Sequence, residues 1–171
     1  MPLHIINGDI LNMDNVEYIV HQVNCLTVQS HGLSESISMK YPWADVHAQR
    51  RNITGRYLAI AKDRDIPGTI RIFKNPSHTP HVICLFGQYD FGTPRYQQRV
   101  FDFKDSSENR ENLFYSCLKH ISELKPISAA LSWGICCSLD GGNWERYYSM
   151  IVNLSSHCDV TLAYNSMYCY Q

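Results

Sequence analysis

Apolar residues along the chain form short runs with the spacing of β-strands. Some runs alternate with polar residues and others are continuously apolar, and turn-forming residues bound several of them. The predicted strands cover residues 3–8, 17–24, 69–74, 81–88, 127–134 and 159–164. The run HVICLFGQ, residues 81–88, is apolar on both faces, which predicts a strand inside the sheet.

Helical spacing appears between these strands. Leu33, Ile37 and Tyr41 recur every four residues and form one face of a helix that Pro42 closes. Further helices are predicted over residues 43–52, 107–124 and 144–154. Strands that alternate with helices predict an α/β fold with a largely parallel sheet. Because no repeat or linker interrupts the pattern, we expect a single domain over residues 1–171.

The expected binding site follows from this topology. In parallel sheets, ligands bind beyond the carboxyl ends of the strands. Residues 24–33, 87–96 and 134–144 therefore surround one mouth, and Asp9 lies beside them at the end of the first strand.

Glycines are concentrated in the last of these loops. Gly134, Gly141 and Gly142 are three of only nine glycines, and they lie between a predicted strand and a predicted helix. Exposed backbone N–H groups before a helix form a favourable seat for an anion. The pattern predicts a phosphorylated ligand there, and a purely structural strand-to-helix turn is the alternative.

Overall composition does not indicate a polyanionic partner or a membrane. The chain has 171 residues, 44% apolar and 18% charged, with a net charge of −1. No apolar run approaches the roughly 20 residues of a membrane span, and the N-terminus lacks the pattern of a signal peptide. Seven cysteines without regular spacing predict buried thiols and a reducing, cytoplasmic location.

Metal binding and a functional basic doublet are not favoured either. Adjacent Cys136 and Cys137 cannot easily converge on a tetrahedral zinc ion, so no metal site is predicted. The doublet Arg50–Arg51 is interpreted as part of a solvated helix face.

Four segments, taken together and in order, resemble the macro domain, the ADP-ribose-binding fold. The segments are INGDIL at 6–11, VHQVNCLTVQSHGLSESISMKYP at 20–42, HVICLFGQYDFG at 81–92 and GICCSLDGGNWE at 134–145. They look most like the branch that contains ADP-ribose 1″-phosphate phosphatases. The resemblance implies a three-layer α/β/α fold with a central, mostly parallel mixed sheet. It also implies an ADP-ribose ligand and no cofactor.

The chain departs from that family in both glycine-rich loops. Only Gly32 remains where the first loop of the family usually has two glycines, and Cys137 and Ser138 stand in a normally glycine-rich stretch. Asn143 replaces the Asp that often precedes Trp. Side chains at former glycines can block a close approach of the backbone to a ligand.

Ligand contacts are assigned from the resemblance together with the chemistry of each residue. Asp9 accepts a hydrogen bond from the adenine amino group, Tyr164 stacks on adenine, and backbone amides of the second loop hold the diphosphate. The alternatives are a turn residue for Asp9 and a core tyrosine for Tyr164. The expected ligand-binding residues are Asp9, Ile10, Asn24, Gly32, Leu33, Gln88, Ser138, Leu139, Gly141, Gly142 and Tyr164.

Three residues are candidates for chemistry. Asp140 matches the Asp used by a related branch that removes ADP-ribose from protein carboxylates, and here it would activate water. Gln88 occupies the position where that branch carries Lys, so a covalent Lys route is not supported. His31 would move a proton, or is a solvent-exposed substitution. Asn24 would hold a ribose hydroxyl, or caps the strand end.

The resulting expectation is a hydrolase, an ADP-ribose 1″-phosphate phosphatase. A reader module that binds ADP-ribose without turnover is the main alternative, and an ADP-ribosyl-protein hydrolase is another. A third is a relic of the fold whose site is closed by its own side chains. The expected partners are ADP-ribose, its 1″-phosphate and ADP-ribosylated macromolecules.

Overall fold

A six-stranded sheet forms the centre of the molecule. The computed structural model describes residues 2–94, 103–137 and 140–165. The strands are β1 (Leu3–Asn7), β2 (Tyr18–Asn24), β3 (Ile70–Phe73), β4 (His81–Gln88), β5 (Ser128–Ser132) and β6 (Asp159–Tyr164). Each of them lies within one of the strands predicted from the apolar pattern.

Strand order in the sheet is β1-β6-β5-β2-β4-β3. Every pairing is parallel except that of β3, which runs antiparallel to β4 at one edge. β4 lies between β2 and β3, and seven of its eight residues are buried, so the predicted inner position is confirmed. The carboxyl ends of the five parallel strands therefore meet at one edge of the sheet.

Three α-helices cover the sheet within the described residues. They are α1 (Leu33–Lys40), α2 (Ser107–Leu124) and α3 (Trp144–Leu154). The helix predicted over residues 43–52 is wrong, because only a 3-10 turn, Pro42–Ala44, forms there. The Asp45 carboxylate accepts hydrogen bonds from the backbone N–H groups of His47 and Ala48, which gives the chain a turn in place of a helix.

Apolar clusters fill both faces of the sheet. On one face, Val20 packs in a cluster with residues of α2 and α3. On the other face, Ile19 packs in a cluster that includes Ile37 of α1. Neighbouring residues of β2 thus point into different layers, as strand geometry requires. The arrangement confirms the three-layer α/β/α fold.

The described cysteines are free thiols. Cys25, Cys84, Cys117, Cys136 and Cys158 are buried, as predicted, and Cys137 is half-buried. Burial raises the pKa of the Cys84 and Cys117 thiols to about 12, so both remain protonated. In the described part of the chain, no helix has both the length and the apolar character needed to cross a membrane.

Candidate functional site at the carboxyl edge of the sheet

Backbone hydrogen bonds join the segments that leave the carboxyl ends of the strands. We call residues 25–32, between β2 and α1, the first loop, and residues 133–143, between β5 and α3, the second loop. The Cys25 N–H donates to the carbonyl of Tyr89, just after β4, at 3.0 Å. The Gly8 N–H donates to the carbonyl of Tyr164 at 2.9 Å. These bonds place the first loop beside the segment after β4, and the segment that contains Gly8 beside the end of β6.

Asn24 organises the start of the first loop. Its Oδ1 accepts hydrogen bonds from the N–H groups of Leu26 at 3.0 Å and Thr27 at 2.8 Å. Its Nδ2 donates to the Thr27 hydroxyl at 2.9 Å, and the side chain is buried. This is the strand-end cap considered as the alternative role, and the contact with a ribose hydroxyl stays a prediction.

The Arg50 side chain is buried and supports the first loop through hydrogen bonds. Its predicted place on a solvated helix face is therefore wrong. Its guanidinium donates to the carbonyl of Asn24 at 2.7 Å and to that of Thr27 at 2.6 Å. It also pairs with Asp65 at 2.7 Å, and only 6% of Arg50 is exposed. Arg51 is exposed as predicted and pairs with Asp63. The two residues of the doublet thus face opposite environments.

His47 links the first loop to α1. Its Nδ1 lies 2.9 Å from the Thr27 carbonyl oxygen, and its Nε2 lies 3.4 Å from the Ser34 hydroxyl. Burial lowers the pKa of His47, which favours the neutral ring. Arg50 and His47 therefore fix the carbonyl groups of the first loop.

The turn into α1 contains three of the predicted site residues. Gly32 precedes the helix with φ of +58°, and a Cβ there would meet no atom within 4 Å. The glycine is thus needed for its backbone conformation and not for space. Leu33 is half-buried against the core on the α1 face, whereas His31 is exposed.

The second loop folds back on itself. The Gly142 N–H donates to the Cys136 carbonyl at 3.0 Å, and a Cβ on Gly142 would lie 2.5 Å from that oxygen. Cys136 itself has φ of +69°, in the region that favours glycine, and Gly141 has φ of +70°. Asn143 accepts a hydrogen bond from Arg146 N–H and begins α3, where the sequence predicted it. The predicted contacts Ser138 and Leu139 lie outside the described residues.

Asp140 lies between two side-chain amides, those of Gln22 and Gln88. Gln22 Nε2 donates to Asp140 Oδ2 at 3.2 Å. The Gln88 amide faces the same carboxylate, and with its nitrogen there it donates to both Asp140 oxygens, at 2.9 and 3.0 Å. Both glutamines are therefore placed to donate to Asp140, which suits an acceptor-only, ionised carboxylate.

The environment of this carboxyl group favours its protonated form. Burial raises the pKa of Asp140, and the charge of Arg110 and the two amide hydrogen bonds oppose that rise. Asp140 thus holds a proton at higher pH than an exposed Asp does. A carboxyl group whose pKa is raised by burial is a candidate for acid–base chemistry.

Gln22 is a site residue that sequence reasoning missed. Its Oε1 accepts a hydrogen bond from the Cys136 thiol at 2.7 Å, so it connects β2 to the second loop. A Cβ on Gly87 would lie 2.3 Å from this oxygen. The available signal was a polar residue near the carboxyl end of β2, beside a strand that contains a glycine.

Arg110 was also missed, and it holds the segment after β4. Its guanidinium pairs with Asp105 at 2.6 Å and donates to the carbonyl groups of Asp90 and Gly92. Only 2% of Arg110 is exposed. The spacing of α2 places it on the buried face of the helix, but spacing alone does not indicate a charged residue there.

The predicted adenine contacts lie at the β1 and β6 side of the edge. Asp9 is half-buried and accepts a hydrogen bond from Leu11 N–H at 2.9 Å, which caps the short 3-10 helix Ile10–Asn12. The Ile10 side chain is buried in the core. Tyr164 is half-buried, and its ring centroid lies 6.3 Å from that of Trp133. The Trp133 ring also packs against Trp144 at the start of α3, with 4.9 Å between the two ring centroids.

The structure therefore brings some predicted residues together and keeps others apart. Asp140 meets Gln88, and the segment containing Asp9 meets the end of β6. Among the described residues, no hydrogen bond joins His31 or Asn24 to Asp140. No group of three or more His, Cys, Asp or Glu side chains in that part of the chain is arranged to hold a metal ion.

Comparison with known proteins identifies the fold. No protein-family model and no curated protein matches the chain. The macrodomain of Mycobacterium tuberculosis DarG is 16% identical, with a TM-score of 0.65 over 95% of this chain and 97% of that one. The macrodomain of Thermus aquaticus DarG is 19% identical, with a TM-score of 0.62 over the same shares. Thermosipho africanus DarTG, solved in complex with ADP-ribose, is 15% identical, with a TM-score of 0.65 over 96% of this chain and 42% of that one. The chain has the macrodomain fold.

Proposed function

We propose that the protein binds ADP-ribose or a derivative at the carboxyl edge of the sheet and hydrolyses it, with ADP-ribose 1″-phosphate as the substrate. The observation that carries the proposal is the half-buried Asp140 carboxyl, held by Gln22 and Gln88 in the loop that precedes α3. A structure with this fold, Thermosipho africanus DarTG, was solved with ADP-ribose bound, which supports the choice of ligand.

The two halves of the ligand meet different chemistry along this edge. Asp9 and Tyr164 offer an acceptor and an aromatic ring to adenine, at the end of β1 and β6. The second loop and the N-terminus of α3 offer backbone N–H groups and the positive end of a helix dipole to the diphosphate. Binding through amides fits a chain whose net charge is −1.

Asp140 would act on the water that attacks the terminal phosphate. In the ionised state it accepts a proton from water as the water oxygen bonds to phosphorus. The bond between phosphorus and the ribose oxygen breaks, and that oxygen takes up a proton to give ADP-ribose and inorganic phosphate. The raised pKa of Asp140 makes it a stronger base than an exposed Asp, which suits this step.

A reader module is the second candidate, and two observations favour it. Gln88 stands where a hydrolase branch of the family carries Lys, and an amide is not a nucleophile under these conditions. The Asn24 side chain also makes its hydrogen bonds within the first loop, to Leu26 and Thr27, and not toward a ligand. A module of this kind would bind ADP-ribose attached to a macromolecule and release it unchanged.

Calorimetry with ADP-ribose followed by a phosphate-release assay separates these candidates. We expect a dissociation constant on the order of micromolar. Asp140→Asn should reduce phosphate release by about 10²–10⁴-fold while affinity is nearly kept. Asp14→Asn is the matched control, because the Asp14 side chain is 75% exposed and lies in the turn before β2. Binding without phosphate release supports the reader module, and absence of binding rejects both candidates.

A further inference from the structure

A groove lies beside the first loop, away from Asp140 and the second loop. Its volume is about 630 Å³. The residues that line this groove are Val28, Gln29, Asn52, Gly55, Arg56 and Tyr57. Only Gln29 and Val28 belong to the first loop, so the groove and the proposed ADP-ribose site share one wall and are otherwise built from different segments.

The far wall of the groove is fixed to the first loop by antiparallel hydrogen bonds. The Val28 N–H donates to the Tyr57 carbonyl at 3.2 Å, and the Ala59 N–H donates to the Leu26 carbonyl at 2.7 Å. Leu58 is buried between these bonds, which directs its neighbour Tyr57 outward. The Tyr57 ring is therefore presented on a fixed backbone although 72% of the residue is exposed.

Positive charge is concentrated around this wall. Residues 50–65 contain five Arg and Lys residues against two acidic residues, a local excess of three, in a chain whose net charge is −1. Both acids are already paired, Asp63 with Arg51 and Asp65 with the buried Arg50. The remaining positive charge on this wall comes from Arg56, the exposed Lys62 and Arg64. The Arg56 side chain lines the groove and has no hydrogen bond or ion pair among the described residues. An anion entering the groove thus meets an uncommitted guanidinium.

We infer that this groove binds a nucleotide of a single-stranded nucleic acid. An exposed aromatic ring beside an uncommitted arginine matches the stacking and phosphate contacts that such ligands require. The Gln29 and Asn52 amides can both donate to and accept from base edges. An acidic peptide would satisfy Arg56 but would leave the Tyr57 ring without a stacking partner. The site goes beyond the proposed ADP-ribose chemistry and does not depend on it.

Fluorescence anisotropy with a labelled oligothymidine of about ten nucleotides tests this inference. We expect binding at about 50 mM salt that weakens steeply toward about 200 mM. Tyr57→Ala should weaken binding about tenfold, whereas Tyr57→Phe keeps it because the ring remains. Arg56→Ala should weaken binding and reduce the salt dependence by roughly one charge. Tyr115→Ala is the matched control, since Tyr115 is 59% exposed on α2.

Several outcomes overturn the inference. The inference is wrong if wild-type protein does not bind the oligonucleotide at low salt, or if Tyr57→Ala binds as wild type does while circular dichroism shows an unchanged fold. Competition by an oligoglutamate of the same length, with the same loss in Tyr57→Ala, would identify an acidic peptide as the occupant. Displacement of the oligonucleotide by saturating ADP-ribose would show that the two sites are one. A protein that binds the oligonucleotide but not ADP-ribose rejects the proposed function alone.

Discussion

Mild acid should destabilise the protein, and His21 should account for much of the effect. This residue lies in β2 and is only 2% exposed. Its Nδ1 has no hydrogen-bond partner among the described residues, and its Nε2 lies 3.3 Å from the Cys84 sulfur. Burial, and then the charge of His47, lower the pKa of His21 to about 3. The folded protein therefore holds this ring neutral.

The sign and size follow from proton linkage. The folded-state pKa lies below the unfolded value of 6.5, so the stabilising contribution of neutral His21 is complete above 6.5 and is lost as the pH falls toward 3. Each pH unit below 6.5 costs about 1.4 kcal/mol, or about 2 kcal/mol at pH 5. His47, whose pKa is also lowered, acts in the same direction. Asp140, whose pKa is raised, acts in the opposite direction as it takes up its proton.

Urea unfolding of the wild type and of His21→Leu between about pH 7 and about pH 5 isolates this contribution. The free energy of unfolding of the wild type should fall by about 2 kcal/mol more than that of the variant over this interval. Comparing the two slopes removes any change that the substitution causes at neutral pH. His78→Gln is the control, because His78 is exposed. Equal pH dependence in wild type and His21→Leu would refute the reasoning.

Two further predictions concern stability. Gly142→Ala should lower the free energy of unfolding by about 1–3 kcal/mol, because its Cβ would lie 2.5 Å from a backbone oxygen of the second loop. Gly55→Ala, where the space is open, should lose only about 1 kcal/mol, and a similar loss in both variants would contradict the clash. Arg50→Leu should lower the free energy of urea unfolding by about 3 kcal/mol, because buried Asp65 keeps only Arg71 as its ion-pair partner and the carbonyl groups of the first loop lose their donor. Arg51→Leu, on the exposed side of the doublet, should change little, and equal losses would show that burial is not decisive.

The apolar pattern was sufficient for the sheet and for most of the helices. Both faces of β4 are buried, so a continuous apolar run in its sequence is enough to predict an inner position in the sheet. The helix predicted over residues 43–52 was wrong because the Asp45 side chain forms a hydrogen-bonded turn, although the spacing of the residues is compatible with a helix. Periodicity does not measure that competition between side chain and backbone.

The burial of charged side chains was the second feature that could not be predicted from the sequence. Arg50 and Arg51 are chemically identical neighbours, yet one is buried and the other is exposed. What separates them is the position of Asp65 and of the first-loop carbonyl groups, which become neighbours of Arg50 only in the folded chain. The same holds for Arg110, whose partners include carbonyl groups 18 and 20 residues away.

The cluster around Asp140 shows how the chemistry of the site depends on such partners. The resemblance indicated the positions of Asp140 and Gln88, but Gln22 connects them through space, and Gly87 must lack a side chain for Gln22 to fit. An amide in place of a Lys amine has no proton to titrate near neutral pH. It instead donates hydrogen bonds to the carboxyl group through its nitrogen. Acid–base chemistry at this edge would therefore fall to Asp140, while the amide groups of Gln22 and Gln88 position its carboxylate.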